Sequence, residues 1–285
     1  MSSSGDTPAA PTRRITLPGG DEDLIAVEEP LEIRVEGKAA AVTMRTPGDD
    51  LDLAIGFLTT EGVLGPDDAM SDVKAMAQVS ENVVDVRLSE GVSPTRARSA
   101  DREFFATSSC GICGKASIER ILRGRRDPLH GVEPGDGLLG ALPATFDAAQ
   151  LHTHTTGCMH AAALFRADDP GGTILMTRED VGRHNAVDKV IGAWIRERAG
   201  PGDTHVYPAW PASTQPGALA FAGLGLVVTS RAGFEVVQKA ITVGIGLVCT
   251  VGAPTSLAVE LATESGCVLI SWVRPGRARR YTRPQ

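Results

Sequence analysis

Between Thr173 and Val273 the chain repeats one order: an apolar run, a short polar loop, an amphipathic stretch, then another apolar run. Thr173-Ile174-Leu175-Met176-Thr177 reads as a buried strand, followed by the polar run Arg178 to His184. Ala186 to Arg198 has helical spacing, and Asn185 with Asp188 resembles a capping box at its start. Leu224 to Thr229, the loop Ser230-Arg231-Ala232-Gly233 and Phe234 to Val243 repeat the pattern. Gly246 to Thr250, the loop Gly252 to Ser256 and Leu257 to Thr263 repeat it again, and Cys267 to Val273 closes as a strand. This order predicts an α/β domain with a mainly parallel sheet. Ala240 to Val259 carries no charge, but Gly244, Gly246, Gly252 and Pro254 divide it, so it reads as buried core and not as a membrane span.

A functional expectation follows from the strand order. Ligands of open parallel sheets bind outside the carboxyl ends of the strands. The runs Arg178–Asn185, Ser230–Gly233, Pro254–Ser256 and Arg274–Arg277 all follow strands and are expected to share one rim. Arginines beside glycine-rich backbone and hydroxyls suit phosphates or a nucleotide. Arg279, Arg280 and Arg283 add positive charge in a chain whose net charge is −7. That negative balance gives no general attraction for nucleic acid or an anionic membrane.

The first half has a different grammar. Leu31 to Val35 and Ala39 to Met44 alternate around Gly37-Lys38 as a β-hairpin. Leu51, Leu53, Ala54, Phe57 and Leu58 form a helical face that stops at Glu61-Gly62, and Asn82 to Leu88 is another strand. Residues 1–24 are expected to be a disordered tail, 25–125 a smaller α+β domain, 126–145 a linker or loop, and 146–285 the α/β domain.

Ser108-Ser109-Cys110-Gly111-Ile112-Cys113-Gly114-Lys115 is the stretch that announces chemistry. It lies between the strand-like Glu103 to Thr107 and the helical spacing of Ile118, Ile121 and Leu122. Amides at a helix start, with Lys115 beside them, favour the thiolate. The five cysteines are an odd number, and with no signal peptide they argue against a disulfide scaffold and for a cytoplasmic protein with reduced thiols. Three chemistries fit Cys110 and Cys113: a dithiol-disulfide oxidoreductase, half of a zinc site in a binding module, or sulfur relay through a persulfide. His152, His154, Cys158 and His160 could complete a zinc site. His160 is expected at the start of a buried helix through Phe165, and His184 just ahead of the helix from Ala186. Cys249 and Cys267 lie in apolar strands and read as small hydrophobes.

Several motifs in order resemble the FdhD family, the formate dehydrogenase accessory sulfurtransferases. They are the dithiol stretch, Asp52-Leu53-Ala54-Ile55-Gly56-Phe57-Leu58 with Glu61-Gly62, Thr156 to Ala162, Glu179 to Lys189, Ser230-Arg231-Ala232 and Ala253-Pro254-Thr255-Ser256. The resemblance runs from about Glu28 to Thr282. It implies a cytidine deaminase-like three-layer fold for the second half and a homodimer. It also implies a cytoplasmic sulfurtransferase that takes persulfide sulfur from a cysteine desulfurase. The acceptor is the molybdenum or tungsten bis-guanine dinucleotide cofactor needed by formate dehydrogenase, with GDP or GMP as possible mimics. Cys110 would carry the persulfide and Cys113 would assist. Trp272, Val273, Arg274, Pro275, Gly276 and Arg277, with His160, Arg183, His184, Ser230 and Arg231, are the implied cofactor contacts. Trp272 stands where the family pattern leads one to expect Phe. The zinc signature of true deaminases is missing, since Ala162 stands two residues after His160.

Overall fold

The larger sheet is held by covering both of its faces. In this computed structural model, which describes residues 10–64, 69–75, 82–88, 129, 131–198, 207–208 and 221–284, the second half of the chain builds six strands. They are β7 (His160–Arg166), β8 (Ile174–Asp180), β10 (Leu224–Val228), β11 (Leu247–Thr250), β12 (Val268–Arg274) and β13 (Arg277–Arg280), ordered β13-β12-β11-β10-β7-β8. Only β10, β11 and β12 are mutually parallel; β7, β8 and β13 join antiparallel. The sheet is therefore mixed, and the expectation of a mainly parallel one is corrected. The parallel trio is where helices α5 (Phe234–Thr242) and α6 (Ser256–Ser265) return the chain; the flanking strands arrive by hairpins.

Alternate residues of β7, β10, β11 and β12 enter two apolar clusters. Ala162, Leu164, Leu226, Val228, Val248 and Leu269 face one, and Ala161, Ala163, Phe165, Val227, Leu247 and Ile270 the other. Helices α1 (Asp50–Thr60), α4 (Arg183–Arg198), α5 and α6 cover the first face. Helix α2 (Asp136–Ala148) covers the second with Leu138, Leu142 and Phe146. The result is three layers.

A second sheet comes mostly from the first half: β3 (Glu29–Val35), β4 (Lys38–Arg45), β5 (Ala69–Ala75), β6 (Val83–Leu88) and β9 (Tyr207–Pro208), ordered β4-β3-β6-β5-β9. Leu31, Ile33, Val84 and Val86 join the same apolar cluster as α4 and α5, so the two sheets share a core. Helices α1 and α4 meet through glycines. A Cβ on Gly56 would fall 1.8 Å from the Asp188 carbonyl oxygen, and one on Gly192 would fall 1.9 Å from that of Asp52. Only hydrogen at both positions lets the backbones approach so closely.

Four further expectations are revised. Residues 12–24, read as part of the tail, belong to a hairpin of β1 (Thr12–Thr16) and β2 (Glu22–Ala26). The stretch read as linker or loop, 126–145, holds most of α2, whose face is interrupted by Gly137, Gly140 and Pro143. His160 begins a strand and not a helix, because Ala161 to Phe165 is walled in by β8 and β10 and buried on both faces. Strand β8 extends to Asp180, so Arg178 and Glu179 belong to it and not to a loop. The strand-like Glu103–Thr107, the dithiol Cys110 and Cys113, and the helical stretch after Lys115 lie outside the described residues.

Candidate functional site at the carboxyl edge

Strands β8, β10, β11 and β12 run in the same direction, so their last residues lie along one edge of the sheet. His160, the first residue of the opposed β7, lies across from Asp180 on that edge. There the protein forms a pocket of about 250 Å³ lined by His160, Arg183, Thr229, Ser230, Arg231, Gly252 and Arg274. Among the described residues, three guanidiniums and no carboxylate line it. In a chain of net charge −7 this is a local reversal of sign, and it suits an anion. Arg183 opens helix α4 and Gly233 caps α5, so two helix amino ends with their partial positive charge face the same edge.

Loop packing fixes the floor. The Gly252 amide donates to the Ser230 carbonyl, the Ala232 amide to Ala253, and the Thr255 amide to Ala232. The Thr255 side chain accepts from the Ala258 amide and caps α6. A Cβ on Gly252 would press within 2.9 Å of Arg231 Cα and Cγ, so this glycine lets the two loops touch. The Thr229 hydroxyl is held by the Ala161 amide at 3.0 Å.

His160 is partly buried. Burial first, and then Arg183 and His184, push its imidazole below the ordinary histidine range, with Asp180 opposing. It is therefore neutral at pH 7 and serves as a hydrogen-bonding group among fixed cations. His184 lies beside the pocket with Nε2 2.7 Å from Glu235 Oε2. That hydrogen bond is the main reason the Glu235 carboxyl sits below its usual range, so the carboxylate accepts and Nε2 carries the hydrogen.

The polar residues behind the rim are scaffold. Asp180, fully buried, accepts from the Gly182 amide at 2.8 Å, Asn185 Nδ2 at 3.0 Å and the Thr46 amide at 3.1 Å, and pairs with Lys189 at 2.8 Å. Lys189 also donates to the Thr46 carbonyl, and Asn185 to that of Met44. These bonds tie the start of α4 to the end of β4. Arg178 grips buried Asp52 through Nε at 3.0 Å and Nη2 at 2.9 Å, while Arg196 approaches the other carboxylate oxygen as an ion pair at 3.0 Å.

Glu179 holds the short helix α3 (Thr153–Thr156) against β8. Its carboxylate accepts from the amides of Leu151, His152 and Thr153 and from the Thr153 hydroxyl. Burial alone raises this carboxyl, but the hydroxyl and amide donors outweigh burial and leave it below the ordinary glutamate value. The stabilisation is therefore complete above about pH 4.3, the unfolded glutamate value, and is lost as pH falls through the lower folded one. Melting temperature measured from pH 6 to 3 should fall more steeply for the native chain than for Glu179→Gln, and parallel curves would reject this role.

The sequence-based candidates separate into groups. His160, Arg183, Ser230, Arg231 and Arg274 come together in the pocket lining, and His184 stands beside it. Arg277 lies over the Trp272 ring at 4.6 Å, and Arg274 lies over the same ring at 5.5 Å. Pro275 and Gly276 form the exposed turn between β12 and β13. Val273 points away, into the apolar cluster under α2. Thr229 and Gly252 line the pocket without being among the sequence candidates; Thr229 directly precedes the loop from Ser230, and Gly252 opens the loop that ends at Ser256. Cys249 and Cys267 are fully buried, as read, and Cys158 is exposed. Burial pushes the Cys249 thiol up, out of reach of thiolate chemistry. Among the described residues no three His, Cys, Asp or Glu side chains are grouped to hold a metal ion. Among the described residues no helix is long and apolar enough to cross a membrane.

Comparison with known proteins places this architecture. The chain is 43% identical over 272 residues to the sulfur carrier protein FdhD of Mycolicibacterium paratuberculosis, covering 92% of this chain and 90% of that one. It is 42% identical over 276 residues to the protein of the same name from Nocardia farcinica, covering 94% and 87%. Its fold matches a crystal structure from Desulfotalea psychrophila, of a protein provisionally assigned as a formate dehydrogenase accessory protein. That match has a TM-score of 0.65 and 21% identity, and covers 98% of both chains. The family model for FdhD/NarQ matches residues 26–285, and this chain belongs to that family.

Proposed function

We propose that the protein is a sulfur carrier serving formate dehydrogenase. It accepts persulfide sulfur from a cysteine desulfurase and passes it to a molybdenum or tungsten bis-guanine dinucleotide cofactor, which binds here as substrate. The observation that carries this reading is the pocket in which Arg183, Arg231 and Arg274 converge, in a family whose curated members are named sulfur carriers. A dinucleotide cofactor brings pyrophosphates, and a guanidinium can meet a phosphate through two parallel hydrogen bonds. Resemblance to the family supports a homodimer and a cytoplasmic location.

In the proposed cycle the Cys110 thiolate attacks the outer sulfur of the donor persulfide. The donor S–S bond breaks, the donor leaves as a thiolate, and Cys110 holds the persulfide. Attack by the Cys113 thiolate on the inner sulfur then expels the outer one at the sulfide level, to become a ligand of the metal. Two thiolates have lost two electrons to that sulfur, and the Cys110–Cys113 disulfide formed is reset by an external dithiol reductant. Arg183, Arg231 and Arg274 bind the phosphates meanwhile, and neutral His160 offers a hydrogen bond without adding charge.

GDP is the probe for the pocket. Removing one charge-assisted contact costs about 1.5–3 kcal/mol, so Arg231→Ala should weaken GDP about tenfold or more in a calorimetric titration. Superimposable titrations of the native and variant proteins would exclude this pocket as the nucleotide site.

A further inference from the structure

The turn after β12 contains an arrangement that is unfavourable without a ligand. Arg274 and Arg277 are direct cross-strand partners in the β12–β13 hairpin, so two like charges face each other at closest register. Such pairs are destabilising. The hairpin nevertheless enforces it: Pro275-Gly276 makes a two-residue turn, with Gly276 at φ 69°. The register also shifts between Ser271 and Arg274, the mark of a bulge.

Trp272 sits in that bulge with φ 61°, the left-handed region that a bulky side chain rarely enters. Its amide reaches the Gly252 carbonyl at 3.4 Å, and its indole Nε1 donates to the Tyr281 hydroxyl at 3.2 Å. The indole is thus held at both ends, and both guanidiniums lie over it, Arg274 at 5.5 Å and Arg277 at 4.6 Å. Arg274 donates to the Val251 carbonyl and lines the pocket, so the platform is joined to the anion site. Backbone strain and like-charge register are two separate costs at one place, and such costs gather where a ligand repays them.

We infer that Trp272 is a positioning residue which, braced by Tyr281, stacks Arg274 and Arg277 into a two-cation clamp that selects a diphosphate over a monophosphate. A flexible pair of arginines would separate to relieve repulsion and meet one phosphate each time. Fixed on one ring, they present charge for two phosphates together. Trp272 is then not a contact to the base but a face for cations, a part that a Phe ring could also play. This inference rests on the nucleotide-pocket reading above.

The test compares GDP and GMP affinities by calorimetry in the native protein, Trp272→Leu and Trp272→Phe. The native chain should prefer GDP by about tenfold or more, the worth of a second charged contact. Trp272→Leu should bring the ratio to within about twofold while GMP affinity changes little. Trp272→Phe should keep most of the preference although it loses the bond to Tyr281. A native preference that survives intact in Trp272→Leu overturns the clamp and leaves the pocket reading standing, as does a ratio lost equally in the Leu and Phe variants. A native chain that binds neither nucleotide overturns the pocket reading itself. Circular dichroism and melting of each variant separate lost selectivity from lost fold.

Discussion

Lys239→Ala is expected to lower the unfolding free energy by about 3–5 kcal/mol, the cost of breaking a buried ion pair by removing one partner. The ammonium of Lys239 is almost wholly enclosed between α1, α4 and α5. It lies 2.9 Å from Asp188 Oδ2 and 2.8 Å from Glu61 Oε1, donates to the Thr60 hydroxyl at 3.0 Å, and sits 5.4 Å from the centre of the Phe57 ring. Burial pulls its pKa down, but Asp188 and Glu61 outweigh burial and keep it above the ordinary lysine range. Removing it leaves the Asp188 carboxylate in the core with, among the described residues, the Thr60 hydroxyl at 2.7 Å to satisfy it. The double variant Lys239→Met with Asp188→Asn should recover much of the loss, because the amide oxygen can still accept from Thr60 and the one carboxylate left without its lysine, Glu61, reaches solvent. Denaturant unfolding of the single and double variants measures this. A single variant within about 1 kcal/mol of native would mean that the network contributes nothing that solvent cannot replace.

This network also shows which parts of the fold are legible in the sequence. Glu179 to Lys189 stands out as a motif, yet most of it is structural. Asp180 and Lys189 bind each other and Thr46, Asp188 binds Thr60 and Lys239, and Glu179 caps α3. Partners so far apart in the chain cannot be read from local patterns. The elements that could be read were those whose apolar pattern is bounded by turn or cap residues. The β3–β4 hairpin, α1, β6, α5 and β12 fall within a few residues of where their periodicity puts them. Strand β7 was hidden because both of its faces are buried, so its alternation is lost, and its three alanines mimic a helix. Helix α2 was hidden by Gly137, Gly140 and Pro143, although Leu138, Leu142 and Phe146 keep one face. The rim could be read because polar loops that follow parallel strands must share an edge. The clamp could not, since nothing in Trp-Val-Arg-Pro-Gly-Arg specifies a left-handed Trp272.

The largest functional effect is expected at Cys110. An alanine there removes the only atom proposed to hold the transferred sulfur, so no residual route remains through the pocket, and sulfuration should fall to background. Cys113→Ala should differ: Cys110 still loads, but the persulfide persists, because the thiol proposed to release it is gone. The contrast between the two variants separates sulfur relay from dithiol-disulfide exchange, in which loss of either cysteine ends turnover and no sulfur is added. Incubation with a cysteine desulfurase and cysteine, followed by intact and peptide mass spectrometry, measures it directly. Sulfur relay predicts a gain of one sulfur on the Cys110 peptide of the native and Cys113→Ala proteins and none in Cys110→Ala; full loading of Cys110→Ala, or no loading of the native chain, would contradict it.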